Sequence, residues 1–269
     1  MAITALHSAA TGLSALNTQL DVIANNLANI NTTGFKAMRP NFQDLLYMER
    51  LQPGVENANG DRRPTGLYVG LGTKISGTQL DFNQGNLVTT GRETDIAIEG
   101  NGFLRVAVEP GRANGGFAYT RAGNLALNRD GQLVLANDGG PRIQPVITIP
   151  QDATKIDIST DGRILVTQPG NAEPAQVGQL ELSTFVNPSG LKMLGENLYA
   201  ETVASGPPIQ GNPGVDQRGQ IRQGFVEGSN VDPTTELIEL IKAQRAFEMN
   251  SQTIRSADQA LQTVAQIRR

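Results

Sequence analysis

The fold is decided first by residues 6–30, which read LHSAATGLSALNTQLDVIANNLANI. Apolar or small residues recur there at alternating spacings of three and four, the heptad pattern of a helix with one narrow apolar stripe. The stripe consists of Leu6, Ala9, Leu13, Leu16, Leu20, Ile23, Leu27 and Ile30. The pattern predicts an N-terminal helix over residues 1–30 that packs against another helix along this stripe.

A second stripe with the same spacing lies at the other end of the chain. It consists of Leu240, Ala243, Phe247, Asn250, Ile254, Ala257, Leu261 and Val264. Asn250 is polar, and a single Asn within a helical seam often fixes the register of the pairing. Residues 231–269 are therefore predicted to form a C-terminal helix paired with the first, with Asp232 as its N-cap and Pro233 as its first residue.

The surface of the predicted N-terminal helix is nearly uncharged, because Asp21 is the only Asp, Glu, Lys or Arg among the first 30 residues. An exposed helix normally carries more charge, whereas amides and hydroxyls can both donate and accept hydrogen bonds. We interpret this face as a contact surface between identical copies. The alternative for both stripes is an ordinary helical hairpin that covers a core within one molecule. The residues predicted to form the assembly seam are Leu6, Leu13, Leu20, Ile23, Leu27, Leu240, Phe247, Asn250, Ile254 and Leu261.

Between the helices the sequence changes to short alternating runs separated by turns. Residues 125–135 and 156–166 each predict a β-hairpin that turns at Asp-Gly. The predicted fold class is α+β with several domains: terminal helices paired as a coiled-coil-like domain, a mainly β middle domain and an extended connecting region. The predicted boundaries are 1–30 for the first helix, 31–75 for a connecting region with a long arm at 47–65, 76–205 for the β domain, 206–230 for a returning connection and 231–269 for the last helix.

Composition excludes several classes of partner. The chain of 269 residues has a formal net charge of −4 and no basic stripe, so nucleic acid is a poor partner. It has no run of about 18 apolar residues, so direct membrane insertion is not predicted. The first 30 residues also lack the Lys or Arg of a signal-peptide n-region.

No constellation of catalytic or ligand-binding residues stands out. His7 is the only histidine and lies within the predicted helix, and cysteine is absent. A hydrolase with paired carboxylates is the best enzyme alternative, but no pair of acidic residues is marked out. The glycines of residues 66–74 lack the Gly-Lys of a phosphate loop, and Asp130 and Asp161 lack the donor array of a calcium loop. We predict turn roles for these residues, and no enzyme activity, cofactor or metal.

Two terminal stretches carry a family resemblance. Residues 20–36, LDVIANNLANINTTGFK, closely resemble the N-terminal signature of the rod and hook family of flagellar axial proteins, and residues 224–232, GFVEGSNVD, are similar to its C-terminal signature. Blocks at 95–103, 119–121 and 195–199 are similar to internal family blocks, so the resemblance covers essentially the whole chain. The signature residues carried over are Asn25, Asn26, Asn29, Gly34, Phe35, Ser229, Asn230, Val231 and Asp232.

The resemblance implies a structural subunit of the flagellar basal body, exported unfolded by the type III apparatus without a cleaved signal peptide. It implies a helical polymer that forms a hollow periplasmic shaft and transmits torque. The length excludes the longer hook subunits, and residues 42–66 resemble members that form the distal rod. The partners implied are further copies of the chain, proximal rod subunits, hook subunits or the hook-rod junction, the P-ring and L-ring proteins, and the export apparatus. The alternatives are a proximal rod or hook-type subunit or, in a different class, a secreted surface fibre or adhesin.

Residues 47–65 resemble an insertion characteristic of the distal rod members. We expect an arm without a core of its own, since the segment is rich in Pro and Gly and has few large apolar residues. Folded back as a hairpin it would reach about 30 Å, enough to bridge neighbouring subunits and hold them at one spacing. The alternative is a flexible excursion. The residues predicted to mark this rod-stiffening arm are Tyr47, Gln52, Pro53, Gly54 and Pro64.

Overall fold

The computed structural model describes residues 2–54, 64–170 and 173–267, which contain two long helices and twenty short strands. In chain order they are α1 (Ala2–Ala28), β1 (Met38–Asp44), β2 (Tyr47–Leu51), β3 (Leu67–Gly70), β4 (Thr73–Leu80), β5 (Leu87–Thr89), β6 (Ile96–Glu99), β7 (Phe103–Ala107), β8 (Phe117–Thr120), β9 (Leu125–Leu127), β10 (Leu133–Leu135), β11 (Ile143–Gln144), β12 (Lys155–Ile158), β13 (Arg163–Thr167), β14 (Ala175–Gln179), β15 (Leu182–Thr184), β16 (Lys192–Gly195), β17 (Leu198–Ala200), β18 (Ile209–Gly211), β19 (Gln220–Gln223), β20 (Phe225–Glu227) and α2 (Pro233–Ile267). Two terminal helices around a mostly β middle confirm the predicted α+β class.

The chain divides into two compact units. The first unit contains Met1–Ala28, Met38–Gln79 and Asp232–Arg269, and the second contains Asn29–Ala37 and Leu80–Val231. This division differs from the predicted boundaries, because residues 206–230 belong to the second unit. The reason is strand pairing: β18 pairs with β15 and β19 with β6, so backbone hydrogen bonds hold this Gly- and Pro-rich segment in the sheets.

In the first unit, four strands form one long antiparallel ribbon. β1 pairs with β4, and β2 with β3. The Leu45 amide donates to the Gly72 carbonyl at 2.9 Å and the Leu71 amide donates to the Leu46 carbonyl at 3.1 Å, so the two pairs are continuous. β2 and β3 therefore form a terminal hairpin on a two-stranded stalk.

The stalk of this ribbon lies along α1. The Met38 amide donates to the Asn26 side chain at 2.9 Å, and the Thr73 amide donates to Thr11 Oγ1 at 3.4 Å. Thr11 and Asn26 are 15 residues apart on α1, a distance of about 23 Å, and seven extended residues of the ribbon span about the same length. The ribbon can therefore contact the helix at both positions.

The second unit is built on a seven-stranded sheet. Its strand order is β16-β17-β8-β7-β15-β18, with β11 also paired to β7, and β12-β13-β14 form a smaller sheet. Apolar side chains from these strands and from β6 and β9 fill the core, including Ile98, Leu104, Leu125, Ile164 and Leu182, each at most 1% exposed. The predicted hairpins at residues 125–135 and 156–166 are confirmed as β9–β10 and β12–β13.

Candidate assembly site

The two terminal helices pack against each other in antiparallel orientation. Asn26 Nδ2 donates to Glu236 Oε1 at 3.0 Å, and a Cβ at Gly12 would lie 3.3 Å from Asn250 Nδ2. Asn26 and Gly12 are two heptads apart on α1, and Glu236 and Asn250 are two heptads apart on α2, in the opposite direction along the chain. The register is therefore that of an antiparallel coiled coil, in which Asn250 lies against a glycine.

The buried stripe on α1 coincides with the predicted one at Ala9 and Ile23 and otherwise lies beside it. Its most buried residues are Ala9, Ala15, Val22, Ile23 and Asn26, each at most 7% exposed. Leu6, Leu13, Leu20 and Leu27 are only half-buried. The stripe is displaced because α1 is covered by α2 on one side and by the ribbon on another, which leaves the leucine positions at the edge of the contact.

On α2 the less exposed residues follow the predicted stripe more closely. Ala243 is buried, and Leu240, Phe247, Asn250 and Ile254 are half-buried.

Leu261, also predicted for the seam, is 37% exposed. In the antiparallel register it is level with position 1, so the 35-residue α2 outruns the 27-residue α1 there.

The uncharged face of α1 is partly used within the subunit. Ser8 Oγ donates to the Gly70 carbonyl at 3.3 Å, and Thr11 Oγ1 accepts from the Thr73 amide. These contacts correct the interpretation of the whole face as a surface between copies.

Asn26 joins three elements of the first unit and is 2% exposed. Its side-chain oxygen accepts from the Met38 amide at 2.9 Å, while its nitrogen donates to the Met38 carbonyl at 2.9 Å and to Glu236. A buried amide of Asn can make such paired bonds with one peptide group. This signature residue thus ties α1 to both β1 and α2.

Asn230 has a matching role in the second unit. Its Oδ1 accepts from the Ala37 amide at 2.7 Å, and its Nδ2 donates to the carbonyls of Asp81 at 2.8 Å and Asn83 at 3.1 Å. Ala37 and Met38 are adjacent in the chain. The two signature asparagines therefore hold consecutive residues of the same segment.

The remaining signature residues form turns and caps. The Asn29 side chain accepts from Thr32 Oγ1 at 3.0 Å, and Gly34 has a φ of +69°. The Asp232 carboxylate accepts from the Thr234 amide at 3.1 Å, so it caps α2 as predicted, and Thr235 Oγ1 lowers the pKa of that carboxyl through a hydrogen bond.

The other four signature residues differ in exposure: Asn25 is exposed, Phe35 and Ser229 are half-buried, and Val231 is buried.

A buried cluster of three charged residues lies in the second unit. Glu227 accepts from Lys36 Nζ at 2.7 Å, from Arg121 Nε at 2.7 Å and from the Gly85 amide at 3.0 Å. The side chains of Glu227 and Lys36 are 0% exposed, and that of Arg121 is 3% exposed. We call Lys36, Arg121 and Glu227 the charge cluster. It carries two cations against one anion.

The other donors of the charge cluster reach backbone carbonyls. Lys36 Nζ donates to Asn83 at 2.7 Å, and the Arg121 guanidinium donates to Gly102 at 3.0 Å and Gly100 at 3.0 Å. Hydrogen bonds to charged groups of this kind make their burial tolerable.

Burial and the neighbouring charges act in opposite directions within this cluster. Burial lowers the pKa of Lys36 below 10.5, Arg121 lowers it further, and Glu227 opposes both. Burial alone would raise the pKa of Glu227, but Arg121 and Lys36 outweigh it and hold that pKa below 4.5. Glu227 therefore stays ionised as the counter-ion of Lys36 and Arg121 within the charge cluster.

Sequence reasoning missed the charge cluster as a site. Lys36, Arg121 and Glu227 each stand in one of the stretches that carried the family resemblance. A charged residue in each of these three stretches was the available signal, but the sequence does not say that the three stretches meet.

The predicted arm is the terminal hairpin of the ribbon. Tyr47, Met48, Leu51, Leu67 and Tyr68 are between 42% and 58% exposed, and Leu46 at its base is 82% exposed. We call these six residues the hairpin patch. Exposed large apolar side chains concentrated on one hairpin are typical of interaction sites.

The structure extends the arm beyond residue 65, because β3 reaches Gly70. Gln52, Pro53, Gly54 and Pro64 are all exposed, and Gly54 has a φ of +80°. Residues 55–63 of the predicted arm lie outside the described residues.

The residues weighed for phosphate or calcium binding lie in strands and turns. Residues 66–74 span β3 and the start of β4. Asp130 lies in the β9–β10 turn, where its amide donates to the Asn128 side chain at 2.9 Å, and Asp161 accepts from Arg163 at 2.6 Å. Within the described residues, no group of three or more His, Cys, Asp or Glu could hold a metal ion, and neither helix has the length of apolar sequence needed to cross a membrane.

Three family models match segments of the chain. They are described as flagella basal body rod protein over residues 6–36, flagellar hook protein FlgE/F/G D1 domain over residues 97–166, and flagellar basal body rod FlgEFG protein C-terminal over residues 222–267. The first and last contain Asn26 and Asn230, which hold Met38 and Ala37.

Full-length relatives give the same result. The chain is 45% identical over 263 residues to the flagellar basal-body rod protein FlgG of Buchnera aphidicola subsp. Baizongia pistaciae, covering 98% of this chain and 99% of the relative. It is 43% identical over 265 residues to FlgG of Caulobacter vibrioides, covering 98% and 99%. The rod protein FlgF of Caulobacter vibrioides is 35% identical over 245 residues, covering 87% and 84%.

Proposed function

The chain belongs to the FlgG family of flagellar basal-body rod proteins, and from this membership we propose that it polymerises helically into the hollow distal rod and passes torque from the proximal rod to the hook. The observation that carries the distal assignment is full-length similarity to FlgG together with the exposed β2–β3 hairpin. Within Caulobacter vibrioides, similarity to FlgG exceeds similarity to FlgF in both identity and coverage. A proximal rod or hook-type subunit is the alternative.

The partners in this proposal follow from the position of the distal rod. Copies of the chain contact each other, the proximal rod lies at one end and the hook or hook-rod junction at the other, and the P-ring and L-ring proteins surround the shaft. The subunit reaches the periplasmic part of the basal body through the type III export apparatus. Its role is structural and not enzymatic.

The proposed contacts between copies use apolar residues that one subunit leaves uncovered. Leu237, Ile238, Ile241 and Met249 on α2 are between 47% and 66% exposed, and the leucines of the predicted seam on α1 are half-buried. Burial of one large apolar side chain contributes about 1.5–3 kcal/mol. Repeated along a helical polymer, these faces supply the association energy.

The hairpin patch is the proposed source of stiffness. A bent rotating tube must let the spacing between subunits shorten on one side and lengthen on the other. An arm whose exposed apolar residues rest on a neighbouring copy resists that change, since sliding re-exposes the hairpin patch to water. The hairpin therefore keeps the shaft straight.

Removal of the hairpin tests this role. The structure suggests replacing residues 47–70 with Asn-Gly, because Leu46 and Leu71 are already paired at its base and a two-residue turn closes such a pair. We expect rods that still assemble but are curved or more flexible, as measured by electron microscopy of isolated basal bodies.

A matched variant keeps the backbone of the hairpin and changes only its surface. Tyr47, Met48, Leu51, Leu67 and Tyr68 are replaced by Thr, which retains strand propensity. It should show the same loss of stiffness. Straight and equally stiff rods from both variants would remove the stiffening role from the hairpin.

A further inference from the structure

The charge cluster joins positions that are far apart in the sequence. Lys36 and Glu227 are separated by 191 residues, and Arg121 and Glu227 by 106. Lys36 precedes the first strand of the second unit, and Glu227 ends its last strand. The cluster therefore closes only after nearly all of the unit's chain is present.

We propose that the charge cluster is a folding clasp, in which Glu227 is the counter-ion that allows Lys36 and Arg121 to become buried and the second unit to fold. Without its carboxylate, two cations would be enclosed with no compensating charge. Asp81 is an exposed carboxylate that also raises the pKa of Lys36, but its effect on that pKa is smaller than the effect of Glu227. Asp81 therefore does not replace it.

Backbone contacts at the same place connect the clasp to the sheets. The Gly34 amide donates to the Glu227 carbonyl at 2.7 Å, and the Gly85 amide donates to its carboxylate. Arg121 also donates to the carbonyls of Ile98 in β6 and of Gly100 and Gly102 in the turn between β6 and β7. Closing the clasp thus positions three strand connections at once.

Because Glu227 is synthesised late, the clasp delays folding of the second unit. A chain is made from its N-terminus, so Glu227 arrives after every strand that the clasp holds. The second unit then stays unfolded until the chain is almost complete. This second step rests on the proposed function, because delayed folding is what a subunit exported in unfolded form requires.

Refolding of the full-length chain tests the clasp independently of flagellar assembly. After dilution from urea, pulse-labelling hydrogen exchange with mass spectrometry follows protection of the amides in residues 96–106, 118–121 and 225–227. We expect Glu227→Gln to slow protection at least tenfold. Glu196→Gln is the control, since it removes the exposed ion pair with Arg112 in the same unit, and it should leave the rate unchanged.

A second variant keeps the test decisive if Glu227→Gln does not fold. Lys36→Met removes one of the two cations, so it should accelerate or restore folding in the Glu227→Gln background while it slows folding or has no effect in the wild type. This reversal of sign is specific to uncompensated charge. Equal losses from Lys36→Met in both backgrounds would overturn the proposal, as would an unchanged refolding rate in Glu227→Gln with only faster unfolding.

Discussion

Replacing Ile23 with aspartate is expected to abolish polymerisation by separating α1 from its covering elements. Ile23 is 4% exposed, so a carboxylate there must be buried without a partner or the helix must leave its site. An uncompensated buried charge costs about 3–5 kcal/mol, which is large for a helix that depends on packing for its stability. Sedimentation of the purified protein under assembly conditions, with circular dichroism for the helices, measures both effects.

Leu20→Asp should give a different result from Ile23→Asp. Leu20 is half-buried, so its new carboxylate retains access to water in the single subunit and the helix pair survives. Polymerisation should still fail, since the proposed function covers this residue with a neighbour. Ala24→Asp is the control, because Ala24 is exposed one turn from Asp21, where a charge is already present. Normal polymers from Leu20→Asp would contradict the assignment of the leucines to contacts between copies.

Gly34→Ala is expected to destabilise the second unit by about 2–5 kcal/mol. Part of the loss is the positive φ of +69°, which costs an L-residue about 1–2 kcal/mol. The remainder is steric, since the added Cβ would lie 2.7 Å from the Ala122 nitrogen and 2.9 Å from its Cα, and backbone atoms must move to accept it. A shift of Ala122 also displaces Arg121 within the charge cluster.

Gly91→Ala separates these two contributions. Gly91 lies in the same unit with a φ of +70°, but a Cβ there meets nothing within 4 Å. It should lose only the 1–2 kcal/mol of backbone strain. Urea unfolding of both variants provides the comparison, and equal losses would show that the contact with Ala122 is unimportant.

The elements best predicted from the sequence were those marked by a local pattern of residues. The heptad spacing identified both terminal helices, Asp232 and Pro233 located the start of α2, and the Asp-Gly turns located two hairpins. These are local patterns, each decided within a few residues. The face of α1 that is buried was not predictable in detail, because part of it is covered by the ribbon of residues 38–80. The strands of this ribbon carry few buried side chains, so their sequence gives no strong apolar pattern.

Long-range contacts account for most of the rest. Asn26 and Asn230 were recognised from family resemblance, but nothing in their local sequence indicates that they hold consecutive residues. The charge cluster was missed for the same reason, since each of its members resembles an ordinary surface charge until chain segments over 100 residues apart are brought together. The Gly and Pro of residues 206–230 predict a connecting segment with irregular backbone, whereas strand pairing places β18 and β19 in the sheets.

Electron cryomicroscopy of basal bodies assembled from this chain tests the central claim most directly. We predict that density for the chain occupies the distal part of the shaft, with α1 and α2 in contact with other copies and the β2–β3 hairpin resting on a neighbouring copy. Density that fits only the proximal part, or a β2–β3 hairpin that contacts no other copy, would contradict this assignment.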